Sequence, residues 1–290
     1  MKKLIIAAIC TMASVGANAQ LLWKISGNGA KETSYLFGTH HVAPVAMIDS
    51  ISGAADALNS VQTVMGEVDM ISDPMGMQQI AMAYALAPAD STLTKVMTAD
   101  ELSLLDSVLA KYSGGQLTSA MLDPMKPAMV GTQLAMLQTL TAFPGFNPQE
   151  QLDQTIQQKA LANGKKVEGL ESIESQFKIL LGNPISEQVK ALVEGLDKDD
   201  EAIVKVRKLA NAYRTQNLDA INNLILDSDD MDPDDIERLM INRNNNWVKT
   251  LQTKLPEETV FVAVGVGHFV GEHGLINQLK KLGYNVEPVQ

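Results

Sequence analysis

Short apolar runs separated by polar turns mark the start of the folded chain. Residues 21–25 and 34–37 are rich in apolar and aromatic side chains, and the turn-forming stretch 26–29 lies between them. This pattern predicts a β-hairpin. A further apolar run, residues 61–68, predicts a third strand with Glu67 at its end.

The pattern becomes helical over residues 72–142 and is unusually rich in methionine. Thr98 followed by Glu101 predicts a capping box at the start of one helix. Met121, Met125 and Met129 recur at helical spacing, which predicts adaptable core residues and leaves an apolar peptide groove as the less favoured interpretation. We interpret this stretch as a helical insertion.

After the insertion, helices alternate with short strands. Asn147-Pro148 predicts a helix start, with the helix ending at Asn163-Gly164, and residues 166–169 predict a strand. Helices are expected after Ser186 and over residues 232–251. The apolar run 259–264 predicts a strand buried on both faces. A helix over 274–282 and a strand over 285–289 complete a β-α-β unit.

These elements predict an α/β fold with α+β character. We expect a mixed β-sheet flanked by helices, with a large helical insertion at about residues 72–142 between the N-terminal strands and the C-terminal β-α-β unit. The length of 290 residues, with no low-complexity linker, predicts one domain over residues 20–290.

Residues 1–19 have the pattern of a signal peptide. Lys2 and Lys3 precede an apolar stretch, and Ala17-Asn18-Ala19 supplies the small residues that signal peptidase requires. The sequence therefore predicts export to the periplasm or the exterior. No other stretch approaches the roughly 20 apolar residues of a transmembrane helix, so no stable membrane insertion is expected after cleavage.

Net charge and cysteine content exclude some classes of function. The net charge is −11, and an acidic chain repels nucleic-acid phosphates and anionic lipid. We therefore expect no nucleic-acid partner. The single cysteine, Cys10, lies within the predicted signal peptide, so neither disulfides nor thiol chemistry is expected in the mature chain.

All four histidines fall in two windows, each following a predicted strand. The first window is Gly38-Thr39-His40-His41, and the second is Gly265-Val266-Gly267-His268 with His273 behind it. Imidazole is both a common metal ligand and the usual acid-base group near neutral pH. Two Gly-x-x-His windows at opposite ends of the chain therefore predict two halves of one site.

His41, Glu67, Glu171 and His268 each follow a predicted strand. Ligands of open α/β sheets collect outside the carboxyl ends of the strands, so we expect these side chains to share one crevice. Two histidines and a carboxylate suit a divalent metal ion with open positions. Glu171 has an alternative interpretation, as a cap for a helix that begins near Ser172.

Arg243 is a further candidate. Its planar guanidinium could hold a substrate carboxylate or orient a carboxylate of the site, whereas an arginine on an amphipathic helix is by default solvated.

Several of these segments resemble the TraB/GumN family, which is related to the Tiki metalloproteases. The resemblance is carried by residues 35–42, 66–68 and 164–171, by Arg243 within Asn-Arg-Asn-Asn-Asn-Trp, and by residues 262–289. It implies a mixed sheet flanked by helices and a site built from the paired Gly-x-x-His motifs, a glutamate and an arginine.

The resemblance also implies a cofactor. Tiki proteins are described as metal-dependent peptidases that prefer manganese or cobalt, so His41, Glu67 and His268 become the expected ligands, with zinc as an alternative ion. Relatives often carry an apolar residue where this chain has His40, so the sequence leaves open which of the two adjacent rings faces the site.

We therefore expect an exported metal-dependent hydrolase acting on a peptide or protein substrate, with Glu67, Glu171 and Arg243 as catalytic residues. The alternative is a non-catalytic periplasmic binding protein for haem, a metal or a peptide signal. In a third interpretation the histidines only cap strands and the helical surface binds a partner. The sequence leaves the oligomeric state open.

Overall fold

The computed structural model describes residues 20–147, 150–226 and 232–289. The predicted signal peptide, residues 1–19, lies outside these ranges. Within them, no helix is both long enough and apolar enough to cross a bilayer.

The described residues form one mixed sheet of six strands in the order β4-β3-β5-β2-β1-β6. The strands are β1 (Leu22–Ser26), β2 (Ser34–Thr39), β3 (Thr63–Gly66), β4 (Lys166–Gly169), β5 (Val260–Gly265) and β6 (Asn285–Pro288). The prediction of an α/β fold built on a mixed sheet is confirmed.

Four adjacent strands of this sheet run parallel. β3 pairs in parallel with both β4 and β5, and β5 pairs in parallel with β2. Their carboxyl ends, at Gly169, Gly66, Gly265 and Thr39, therefore lie along a single edge of the sheet. This is the edge where parallel sheets bind their ligands.

Helices and short turns connect the strands. The helices are α1 (Ala54–Ser60), α2 (Pro74–Ala85), α3 (Leu93–Val96), α4 (Ala99–Ser113), α5 (Ser119–Leu122), α6 (Pro127–Leu140), α7 (Leu152–Ala162), α8 (Ile173–Leu181), α9 (Ile185–Asp197), α10 (Asp199–Arg214), α11 (Leu218–Ile225), α12 (Pro233–Ile236), α13 (Asn242–Lys254) and α14 (Leu275–Lys281). Turns of 3₁₀ helix occur at Val45–Ser50 and Val266–Phe269, and a π-helical turn, Glu237–Ile241, joins α12 to α13.

Among the described residues, two hydrophobic cores stabilise the fold. The larger core surrounds the sheet, and β5 is almost fully buried, as its apolar run predicts. The smaller core lies among the helices of the predicted insertion and also takes in Leu192 and Leu196 of α9. The insertion thus shares its core with a helix that follows β4.

Local predictions succeeded where the signal was a complete motif. β1 and β2 form the antiparallel hairpin. The capping box is present at α4, with Thr98 and Glu101 each bonded to the other's backbone. β5, α14 and β6 follow one another as expected, although β2 and β1 lie between the two strands of this β-α-β unit.

Other predictions were wrong in detail. The helix expected from Asn147-Pro148 begins at Leu152, because a turn bonded from Glu150 N–H to Asn147 O precedes it; residues 148–149 lie outside the described ranges. Met121 is not a core residue: 61% of it is exposed. The chain turns between α5 and α6, and Leu122 takes the buried position.

Candidate functional site

The four parallel strands end in turns that carry the predicted site residues. His40 and His41 follow β2, Glu67 follows β3, Glu171 comes two residues after β4, and His268 three residues after β5. Backbone hydrogen bonding between the segments of β3 and β4 continues past the ends of the two strands, since Glu171 N–H donates to Glu67 O at 2.9 Å. This bond places the two glutamates side by side.

The glycine that opens each histidine window permits a close approach between chain segments. A Cβ atom on Gly38 would lie 2.9 Å from Cγ2 of Val266, so the first window packs directly against the second. A Cβ atom on Gly265 would lie 3.2 Å from Oε1 of Glu67, which instead accepts the Gly265 N–H at 2.9 Å. Neither glycine has a positive φ, so contact rather than turn geometry requires them.

Arg243 lies at the centre of the site and is 7% exposed. Its Nη2 donates to Glu67 Oε2 at 2.5 Å and to Glu171 Oε1 at 2.6 Å, and its Nε also donates to Glu171 Oε1. Its Nη1 contacts His268 Nε2 at 3.1 Å and Leu239 O at 3.2 Å. These contacts use all five N–H donors of a guanidinium. Arg243 therefore orients the carboxylates of the site and keeps no donor for a substrate carboxylate.

Gln176 of α8 joins the two glutamates from another side. Its Nε2 donates to Glu67 Oε2 at 2.9 Å and to Glu171 Oε1 at 3.4 Å. Both glutamate side chains are only 10% exposed. The carboxylates thus share one amide donor and one guanidinium in a nearly dry environment.

The pKa values of the two carboxylates move apart. Burial opposes ionisation of Glu67, but attraction to His268, Arg243 and His41, with the Gly265 N–H, lowers its pKa to about 2. Burial raises the pKa of Glu171, and Arg243 only partly offsets it. Because His268 is itself neutral near pH 7, the guanidinium is the main charge that keeps Glu67 ionised. Carboxylates with divergent pKa values are suited to different chemical roles.

His268 is buried, with 4% exposed. Its Nδ1 lies 2.7 Å from Asn244 Oδ1, and its ring packs 4.4 Å from that of Trp247, measured between centroids. Burial lowers the pKa of His268 to about 4, so the ring is neutral near pH 7. Its Nε2 lies 3.9 Å from Glu67 Oε1, and the two face each other across the site.

His41 lies at the more open side. Its Nδ1 contacts Asp153 Oδ2 at 3.0 Å, while Asp153 Oδ1 accepts the Thr39 hydroxyl at 2.6 Å. Asp153 raises the pKa of His41 above its usual range, although solvent screens this attraction because 68% of the side chain is exposed. The charges of His41 and Glu67 also influence each other's pKa values.

His40 has different surroundings from His41. Its ring packs against those of Phe143 and Tyr213, with centroids 4.8 and 5.3 Å away, and its buried Nδ1 has no hydrogen-bond partner among the residues that the structure describes. Burial lowers the pKa of His40 to about 4. The two adjacent imidazoles therefore differ in burial and in charge.

The lowered pKa values of His40 and His268 predict that the protein loses stability in mild acid, at a pH above the range in which ordinary carboxylates titrate. As the pH falls from 6.5 towards 5, the unfolded chain protonates His40 and His268, whereas the folded chain does not until about pH 4. The free energy of unfolding should fall by roughly 1.4 kcal/mol per pH unit for each ring. Urea denaturation at several pH values would measure this fall.

His40→Phe provides the matched variant, since phenylalanine suits the aromatic surroundings of this ring. The fall should become smaller by roughly 1.4 kcal/mol per pH unit, because one of the two buried rings is removed. The opposing contribution of Glu171, whose pKa is raised by burial, is the same in both proteins. His41 has a raised pKa, so its stabilisation is complete below pH 6.5 and is lost only as the pH rises. A free energy of unfolding that stays constant between pH 6.5 and 5 would contradict the prediction.

The donors at this edge fit a divalent ion in their chemistry. Each of His41 and His268 is held through Nδ1 by an oxygen acceptor, as metal-binding histidines usually are, and Glu67 faces His268. Across the described ranges, however, no three histidine, cysteine, aspartate or glutamate side chains lie close enough together to hold an ion as placed. The guanidinium of Arg243 is bonded to Glu67 Oε2 and His268 Nε2, two of the atoms available to an ion.

Of the predicted site residues, Glu67, Glu171, Arg243 and His268 are in direct contact. His41 interacts with Glu67 and Arg243 through its charge. Sequence reasoning missed three polar partners: Asp153, Gln176 and Asn244. Asp153 lies in the first turn of α7 and Gln176 in the second turn of α8. Only Asn244 had an available signal, since it follows Arg243 directly in the chain.

Comparison with known proteins gives a match along most of the chain. The sequence model of the TraB/PrgY/gumN family matches residues 21–288. A protein of Amphimedon queenslandica named "Metalloprotease TIKI homolog" is 39% identical over 54 residues, and one of Nematostella vectensis with the same name is 42% identical over 55 residues. Each match covers 18% of this chain and only 11% or 12% of the relative. No solved structure matches the chain.

Proposed function

The chain belongs to the TraB/PrgY/gumN family, and from this premise we propose that it is an exported metal-dependent hydrolase that cuts peptide bonds. The observation that carries the proposal is the buried pair Glu67 and Glu171, whose pKa values move in opposite directions beside the neutral imidazole of His268. An ionised carboxylate, a carboxylate able to exchange a proton and an imidazole lone pair suit hydrolysis.

The relatives support the metal and the substrate class. Both carry the word metalloprotease in their names, so we propose a peptide or protein substrate and a divalent ion. Manganese or cobalt is the ion that the resemblance implies. Export rests on the predicted signal peptide in residues 1–19.

The roles of the residues follow from their positions. His41, Glu67 and His268 would hold the ion, which when bound lowers the pKa of water and polarises a carbonyl group. Glu171 accepts the proton of the attacking water and returns it to the leaving amine. Arg243 keeps both carboxylates in place through its paired N–H groups.

The deciding experiment uses the chain without residues 1–19, purified and analysed for metal content. We expect stoichiometric divalent metal and chelator-sensitive cleavage of a peptide library when manganese, cobalt or zinc is restored. His41→Ala and His268→Ala should lose both the metal and the cleavage. His273→Ala is the matched control, because its side chain is exposed.

The outcomes separate the alternatives. Persistence of chelator-sensitive cleavage in both His41→Ala and His268→Ala would contradict the proposal. Metal bound stoichiometrically without any cleavage would favour a binding protein. A Soret band that appears on haem titration and is lost in His41→Ala would identify haem as its ligand.

A further inference from the structure

The orientation of the Asn244 side chain is determined by its own partners. Its Nδ2 donates to the backbone carbonyls of His268 at 3.2 Å and His273 at 2.9 Å. Carbonyl oxygens only accept hydrogen bonds, so the amide cannot be rotated by half a turn without losing both. Oδ1 must therefore face His268 Nδ1, which lies 2.7 Å away.

Two independent contacts select the same tautomer of His268. Asn244 Oδ1 can only accept, so Nδ1 carries the hydrogen. On the other side of the ring, Arg243 Nη1 can only donate, so Nε2, at 3.1 Å, carries the lone pair. The side chain of Asn244 is fixed in this position, since the residue is 2% exposed.

We propose that Asn244 is a positioning residue that holds His268 in the Nδ1–H tautomer, so that the Nε2 lone pair accepts from Arg243 and is the atom available to a divalent ion. The consequence for the ion rests on the function proposed above, whereas the consequence for the tautomer does not. An acceptor that holds Nδ1–H in this way fixes the orientation of the ring and raises the basicity of a metal-binding imidazole.

The other histidine of the site is held through the same atom by different chemistry. Asp153, an anion fixed by the Thr39 hydroxyl, accepts at Nδ1 of His41, whereas the neutral amide of Asn244 accepts at Nδ1 of His268. Buried next to Glu67, His268 gains tautomer control from an amide without a further negative charge. This difference explains why asparagine suits position 244.

Two substitutions separate positioning from a purely structural role. Asn244→Leu and Asn244→Asp both lose the donors to the carbonyls of His268 and His273. Only Asn244→Asp keeps an acceptor for Nδ1–H. A structural tether would therefore be damaged equally in both variants, whereas the positioning role fails only in Asn244→Leu. Asn244→Ala replaces Asn244→Leu if that variant does not fold.

The first measurement is the ¹⁵N spectrum of the imidazoles in metal-free protein near neutral pH. We expect a single Nδ1–H tautomer for His268 in the wild type and a growing Nε2–H population in Asn244→Leu. In Asn244→Asp the added carboxylate raises the pKa of the ring, so the Nδ1–H tautomer is expected at a higher pH, where the ring is neutral. The second is calorimetric titration with Mn²⁺ and Co²⁺. Affinity should fall about 10–100-fold in Asn244→Leu and stay close to the wild-type value in Asn244→Asp.

Specific results would overturn the inference. An unchanged tautomer in folded Asn244→Leu would show that Arg243 alone sets the ring, and an equal loss of affinity in both variants would indicate a structural tether. If the wild type binds neither ion, the proposed function fails, while the ¹⁵N spectra still decide whether Asn244 positions His268.

Discussion

Arg243→Leu is expected to lower the free energy of unfolding by about 3–5 kcal/mol, the usual cost of removing one partner from a buried ion pair. The substitution would leave Glu67 and Glu171 almost fully buried, with only the Gln176 amide to bond them both. Two neighbouring carboxylates without a counter-charge cannot both stay ionised at low cost. Urea denaturation near neutral pH would measure the loss.

The loss should depend on pH in a defined direction. Without the guanidinium, the pKa of at least one carboxylate rises above its value in the unfolded chain, so protonation relieves the repulsion as the pH falls. The difference between Arg243→Leu and the wild type should therefore be smaller at about pH 5.5 than at about pH 8.

Arg238→Leu is the matched control on the preceding turn of the same helical segment. Its side chain is 31% exposed, pairs with Asp235, which is itself 43% exposed, and donates to Ile179 O. Its removal should therefore cost about 1–2 kcal/mol, less than the removal of Arg243. Equal losses in the two variants would show that the guanidinium of Arg243 has no special role among the carboxylates.

The sequence allowed prediction of elements whose residues repeat a pattern. The buried strand β5 and the capping box at Thr98 were found because apolar runs and caps are local signals. The helices α1, α10 and α11 were not, since their positions depend on packing against the sheet and on neighbouring helices. Met121 shows the limit of periodicity, because a turn between two short helices places it in solvent.

The candidate site was partly predictable for a similar reason. Strand ends are local features, and parallel pairing places the residues that follow them, such as Glu67 and Glu171, at one edge. Asp153 and Gln176 act across the site from helices whose docking angle no local pattern encodes. The sequence also could not decide between the two roles of Arg243, since the choice depends on which partners occupy its five donors.

The contacts of Arg243 that stabilise the fold involve the same side chains that are proposed to carry out the chemistry. Its guanidinium neutralises a carboxylate pair that would otherwise repel, and it contacts the Nε2 atom of His268 that would bind an ion. Because Arg243 bonds Glu67 Oε2 and His268 Nε2, an ion held by those two atoms would compete with the guanidinium. Within the described part of the chain, the side-chain hydrogen bonds of Glu171 all go to Oε1, so Glu171 is the carboxylate with the greater freedom to exchange a proton.

Glu171→Gln is expected to reduce kcat by about 10²–10⁴-fold, the usual contribution of general acid-base catalysis. Glutamine keeps an oxygen that can accept from Arg243 but cannot take a proton from water. Because Glu171 is outside the proposed ligand set, metal content should match the wild type. The acid limb of the pH profile of kcat should also disappear, since burial raises the pKa of this residue.

Two comparisons make this prediction specific to Glu171. Glu168→Gln is the matched control, because Glu168 belongs to β4, the strand that precedes Glu171, but pairs with Lys254 at 2.6 Å, and it should keep the wild-type rate. Glu67→Gln should lose bound metal together with activity, unlike Glu171→Gln. A Glu171→Gln variant with wild-type kcat and an unchanged acid limb would exclude Glu171 as the proton acceptor, whereas loss of its metal would place Glu171 among the ligands.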